Sequence, residues 1–134
     1  MSIPAIFRTC PETGLKIHGS AETLIKVNAV FAVIFLAVGG FLGLLVALTR
    51  WPAVHLLPAE WFYLVLTGHG INVLIFWIIF FEIAVLYFAS AVLLNCRLAT
   101  PTIAWAAFAL MIIGAVMNNV AVFQGESSVM FTSY

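Results

Sequence analysis

Charge is the scarcest property of this chain. Its 134 residues hold five Lys+Arg and five Asp+Glu, 7% of the total, for a formal net charge of zero. A soluble domain carries about 25% charged residues. With 65% hydrophobic residues and a mean hydropathy of +1.21, the chain cannot cover itself with polar surface. A soluble globular domain is excluded. There is no basic cluster, so nucleic acid is not a partner. Cysteine is nearly absent: Cys10 and Cys96 stand far apart with no C-x-x-C, so neither a zinc site nor a redox pair is expected and both read as ordinary thiols. No nucleophile triad, phosphate loop or metal-ligand cluster appears, so the chain does not read as a solitary membrane enzyme. There is no internal repeat. The length allows one small domain.

What is present is three long apolar runs, Leu24 to Thr49, Trp61 to Leu94 and Thr102 to Phe123. A bilayer core needs about 20 apolar residues as helix, and each run supplies them. The runs are continuous rather than alternating, which excludes membrane strands. The expected fold is all-α and integral to the membrane, with three transmembrane helices (24–123) that form part of a larger helical bundle. The second run is longer than a span requires and should tilt or project.

Residues 1–23 are polar by comparison, with Arg8, Glu12, Lys16, His18 and Glu22, and with Pro4, Pro11 and Gly14 breaking any regular pattern. They lack the short apolar core and small-residue cleavage site of a signal peptide, so they read as a retained N-terminal segment. The first connector, Arg50 to Glu60, has two prolines, and Trp51, Trp61, Phe62 and Tyr63 suit an aromatic interfacial belt. In the second connector, Thr100 before Pro101 looks like a helix entry. Residues 124–134 form a tail. Arg8, Lys16, Lys26 and Arg97 fall on one side and Arg50 on the other. The positive-inside rule then places the N-terminus in the cytoplasm and the C-terminus outside. Both cysteines fall on the cytoplasmic side, where thiols stay reduced.

Polar groups inside a span are costly and mark a functional site by default. Two titratable ones lie in the second run. His69, in Thr67-Gly68-His69-Gly70, is about 12 Å past Trp61 along a helix. Neutral imidazole is a good axial ligand for haem iron, and Gly68 and Gly70 would let a flat ring approach the helix. A histidine hydrogen-bonded to a neighbouring helix is the equal alternative. Glu82 lies about 140° round a regular helix from His69. It could relay protons, or it could be a carboxyl bonded to another helix. Asn72, Asn118 and Asn119 read as amides bonding between helices. Gly39-Gly40-Phe41-Leu42-Gly43 contains a Gly-x-x-x-Gly spacing that permits close packing. His18 and His55 sit in polar segments and read as solvent-facing.

The stretch Leu56-Leu57-Pro58, Tyr63 and Leu66-Thr67-Gly68-His69-Gly70 resembles the second transmembrane helix of subunit I in haem-copper oxygen reductases, with its Thr-x-His-Gly signature. The resemblance runs from about Leu24 through the third helix. It extends to Glu126, Val129, Phe131 and Tyr134, where the B-type branch has a similar outer loop. It implies that His69 is an axial ligand of a low-spin haem of b or a type, near the outer side of the membrane. That sidedness agrees with the charge count. Glu82 matches no motif of the family.

In the family the other low-spin ligand, the high-spin haem ligand, the copper ligands and the active-site tyrosine lie in later helices. This chain ends at Tyr134, so the expectation is a fragment or a naturally split subunit that cannot reduce oxygen alone. The resemblance implies as partners the remaining helices of subunit I, a copper-binding or electron-donor subunit, cytochrome c or quinol as donor, and membrane lipid. It implies a place in the cell membrane. Two alternatives stay open: the same role in a nitric oxide reductase, or a cofactor-free accessory subunit of a respiratory complex.

Overall fold

The structure, a computed structural model, describes residues 7–126. Three helices dominate it: α1 (Gly19–Arg50), α2 (Ala59–Leu93) and α3 (Pro101–Phe123). All three are long and apolar enough to cross a membrane. At 1.5 Å per residue α1 and α2 each extend about 50 Å, well beyond a hydrocarbon core of about 30 Å, so both tilt or project. Proline marks the breaks. Pro58 precedes the first residue of α2, and Pro101 occupies the first turn of α3, where its missing N–H is not needed.

α2 is not a uniform α-helix. It widens into π turns at Asn72–Phe76 and Ala89–Leu93. The N–H of Trp77 donates to the carbonyl of Asn72, and that of Leu94 to Ala89. At the second turn the Ser90 hydroxyl lies 2.8 Å from the Leu86 carbonyl and 3.2 Å from that of Tyr87. Each widened turn absorbs an extra residue and rotates the rest of the helix by about 100° relative to an unbroken one.

The helices meet in an aromatic core. Phe35 of α1 stacks on Phe80 of α2 at 5.3 Å, and Phe31 meets Phe108 of α3 edge-on at 5.3 Å. Ala32 and Ala115 fill the narrow places between the rings. Lipid tails are as apolar as these side chains, so the core is held by van der Waals fit and ring geometry rather than by escape from water. Between 11% and 22% of each apolar span is buried. The remainder faces outward.

The N-terminal segment departs from expectation. Pro11 and Gly14 do not abolish regular structure; they make the turn of a hairpin. β1 (Phe7–Thr9) pairs antiparallel with β2 (Lys16–His18), in the register Arg8 opposite Ile17. Gly14 takes φ +67°, a conformation that costs glycine nothing. The chain then enters α1 at Gly19 rather than at Leu24. β2 packs against the Ala89–Leu93 turn of α2. Glu22 ties the hairpin to α1, with Arg8 at 2.7 Å and Lys26 at 2.6 Å. Both cations are largely exposed, so the pairs stabilise by less than about 1 kcal/mol each. His18, expected in solvent, is buried where β2 turns into α1, with Nδ1 2.7 Å from the Ser20 hydroxyl. Val129, Phe131 and Tyr134, like Pro4, lie outside the described residues.

Phe80→Ala should destabilise the bundle by roughly 3 kcal/mol, whereas Phe81→Ala, on the exposed face, should cost far less; thermal unfolding in detergent distinguishes them. Cys10 and Cys96 are free thiols at the hairpin end of the molecule. A membrane-impermeant maleimide should therefore label both from the same side of sealed vesicles. The Thr13 hydroxyl holds the Cys10 thiol below its ordinary range, so more thiolate persists as pH falls. Its labelling should continue to lower pH than that of a free cysteine.

Candidate functional site

The site is built where two glycines of α1 meet α2. Gly39 and Gly43 lie one turn apart on α1, and both turn toward α2. A Cβ added to Gly39 would stand 2.5 Å from Val73 Cγ2 and 3.2 Å from Asn72 Cβ. One added to Gly43 would stand 2.8 Å from Cε1 and 2.9 Å from Nδ1 of His69. Only glycine leaves this room. A Cβ added to Gly40, between them, would meet nothing within 4 Å among the described residues.

The His69 ring therefore lies against bare helix backbone. Its Nδ1 is 2.8 Å from the carbonyl oxygen of Gly39. A carbonyl can only accept, so Nδ1 carries the proton and the tautomer is fixed. In the neutral imidazole Nε2 is then the nitrogen with the lone pair, and it has no hydrogen-bond partner among the described residues. The structure thus contains the helix-to-helix histidine bond and, in the same geometry, a free ring nitrogen. An N–H held by a backbone carbonyl is the usual support of a metal-ligating histidine; it fixes the ring and raises ligand basicity.

The flanking glycines differ. Gly68 is buried, and a Cβ there would stand 3.1 Å from both Leu42 Cδ1 and Phe123 Cζ. Its missing side chain admits α1 and α3. A Cβ added to Gly70 would meet nothing within 4 Å among the described residues.

Asn72 opens the π turn after His69. It is fully buried, and its Nδ2 donates to Gly68 O at 2.7 Å and to Asn119 Oδ1 at 2.7 Å. Asn119 Nδ2 donates to Ala115 O at 2.9 Å, with Asn72 Oδ1 at 3.4 Å. This pair joins α2 to α3, as expected for membrane amides. Asn118, by contrast, has its Oδ1 buried without a hydrogen-bond partner among the described residues. The Asn72–Asn119 pair borders an apolar cavity of about 520 Å³ lined by Phe35, Val38, Val116 and Phe123.

Glu82 is not brought to this site. It is about 20 Å farther along α2 and exposed. The Asn72–Phe76 π turn also removes the angular relation expected from a regular helix. Among the described residues no three His, Cys, Asp or Glu side chains gather as a metal cluster. His55 lies in the connector with φ +43°. It lines, with Arg50 and Phe62, a separate cavity of about 560 Å³.

Residues 23–134 match the family described as Cytochrome C and Quinol oxidase polypeptide I. The chain belongs to that family. No curated protein and no solved structure is a significant match. The match to the oxidase family begins after the hairpin and takes in every residue of the His69 site. It places the chain with subunit I of the haem-copper oxidases, a multi-pass membrane subunit of an oxidoreductase complex.

Sequence reasoning separated the Gly-x-x-x-Gly spacing from His69. A signal that could have joined them was depth. Gly43 precedes Arg50 by about as much as His69 comes after Trp61, and antiparallel helices bring those positions level.

Asn119→Leu should loosen α3 from α2 by roughly 1 kcal/mol. A double-mutant cycle with Asn72→Leu, read by thermal unfolding, should show coupling between the two positions.

Proposed function

We propose that this chain is the N-terminal three-helix part of subunit I of a respiratory terminal oxidase, and that His69 supplies one axial ligand to a low-spin haem. The observation that carries this reading is the 2.8 Å bond from His69 Nδ1 to Gly39 O, which leaves Nε2 as an imidazole donor in a membrane helix of a haem-copper oxidase family member. A low-spin haem, when bound, supplies one-electron transfer toward a high-spin haem–copper centre on other helices.

The chain's own residues bind and orient. The Gly39 carbonyl holds the proton on Nδ1 and stops the ring from rotating. Gly70 leaves the helix surface clear for a flat ring, while the Leu42 and Phe123 side chains over Gly68 close the other side. The surrounding apolar helices keep water away from the ring. A partner histidine would complete the axial pair, and the exposed helix faces would be covered by the remaining helices of subunit I.

On the same reading the N-terminus lies in the cytoplasm of a cell-membrane complex. The donor is cytochrome c or quinol, presented through a copper-binding or donor subunit, and the B-type branch is the most similar. Glu82, an exposed carboxyl on an otherwise apolar stretch of α2, is proposed as a proton-relay group that further helices would enclose.

The test is the reduced-minus-oxidised optical spectrum of the assembled membrane complex. His69→Ala should abolish the low-spin haem band. An unchanged spectrum in an assembled complex would make His69 a packing histidine.

A further inference from the structure

The contact between Gly43 and the His69 ring points to a second role for α1. We infer that Gly43 is a positioning residue that sets the reduction potential of the group His69 ligates, by controlling the length of the Nδ1–Gly39 hydrogen bond. This rests on the ligand reading above. The bare Cα of Gly43 faces the ring edge that makes the bond, since the Cβ it lacks would stand 2.8 Å from Cε1 and 2.9 Å from Nδ1. Both atoms belong to the His69 ring, which the bond to Gly39 holds against α1.

A methyl group at position 43 must therefore push the ring edge away from α1, in the direction that lengthens the 2.8 Å bond to Gly39. A shorter bond draws the Nδ1 proton toward the carbonyl and makes the imidazole a stronger electron donor, which favours the oxidised metal. A longer bond does the reverse. Gly43→Ala should raise the midpoint potential.

The chain contains its own control. Gly40→Ala makes the same change in helix propensity on the same helix, and its Cβ meets nothing within 4 Å among the described residues. The experiment is a redox titration of the low-spin band, with the low-spin electron paramagnetic resonance spectrum, on the whole complex carrying each alanine. The expected result is an upward shift and altered g-values for Gly43→Ala and neither for Gly40→Ala. Equal behaviour of the two variants overturns the inference.

A measurement on the unsubstituted complex covers a Gly43→Ala chain that fails to accumulate. Pulsed resonance in deuterated buffer should show a ligand Nδ1 proton that exchanges slowly, because it is closed between α1 and α2. Rapid exchange overturns the inference. Failure of the underlying reading looks different: the low-spin band would survive His69→Ala.

Discussion

The structure depends on how closely α1 can approach α2, and that approach depends on two missing side chains. Gly39 and Gly43 let the backbone of α1 come within hydrogen-bonding distance of an imidazole on α2. In a membrane interior there is no water to take up a stray N–H, and an unsatisfied polar group there costs several kcal/mol. The carbonyl of Gly39 already accepts within its own helix and has a second lone pair to offer. One contact thereby satisfies a buried donor, fixes a tautomer, orients a ring and leaves the opposite nitrogen available.

The rest of the helix packing supports that contact from two directions. Farther along α1 and α2, the Phe31, Phe35, Phe80 and Phe108 rings lock the three helices together by shape. Beside His69, the Asn72–Asn119 pair brings in α3. The π turn at Asn72–Phe76 begins within one turn of His69, and π turns often lie at functional sites. Asn72, the first residue of that turn, bonds both to Gly68 of its own helix and to Asn119 of the next. At the far end the hairpin closes over the second π turn and is tied to α1 through Glu22. The family match starts at residue 23, just inside α1, so the hairpin lies outside the matched residues.

Several features could be read directly. Length and hydropathy specified three membrane helices, because a continuous apolar run has no other stable form in lipid. Pro101 marked the start of α3 because its ring fits only a first turn. The histidine and its flanking glycines in Thr67-Gly68-His69-Gly70 pointed to the family. Other features had no local signal. Pro11 and Gly14 read as breakers, and whether a breaker ends structure or turns a hairpin depends on the strands' finding each other. His18 lies in a polar stretch, yet the hairpin folds it inward. Gly68 and Gly70 look alike in sequence, but only one of them lies under Leu42 and Phe123.

By itself, then, the sequence determined the solvent this protein lives in, the number of its apolar runs and the one imidazole set inside them, since these come from composition and from the cost of polarity in lipid. Tertiary structure alone decided which nitrogen of that imidazole is free, which glycine faces it and where Glu82 points. Each of those depends on the angle and distance between two helices, and on a π turn that shifts the phase of one of them. A pattern of residues along a single chain does not encode the gap between two backbones until they pack.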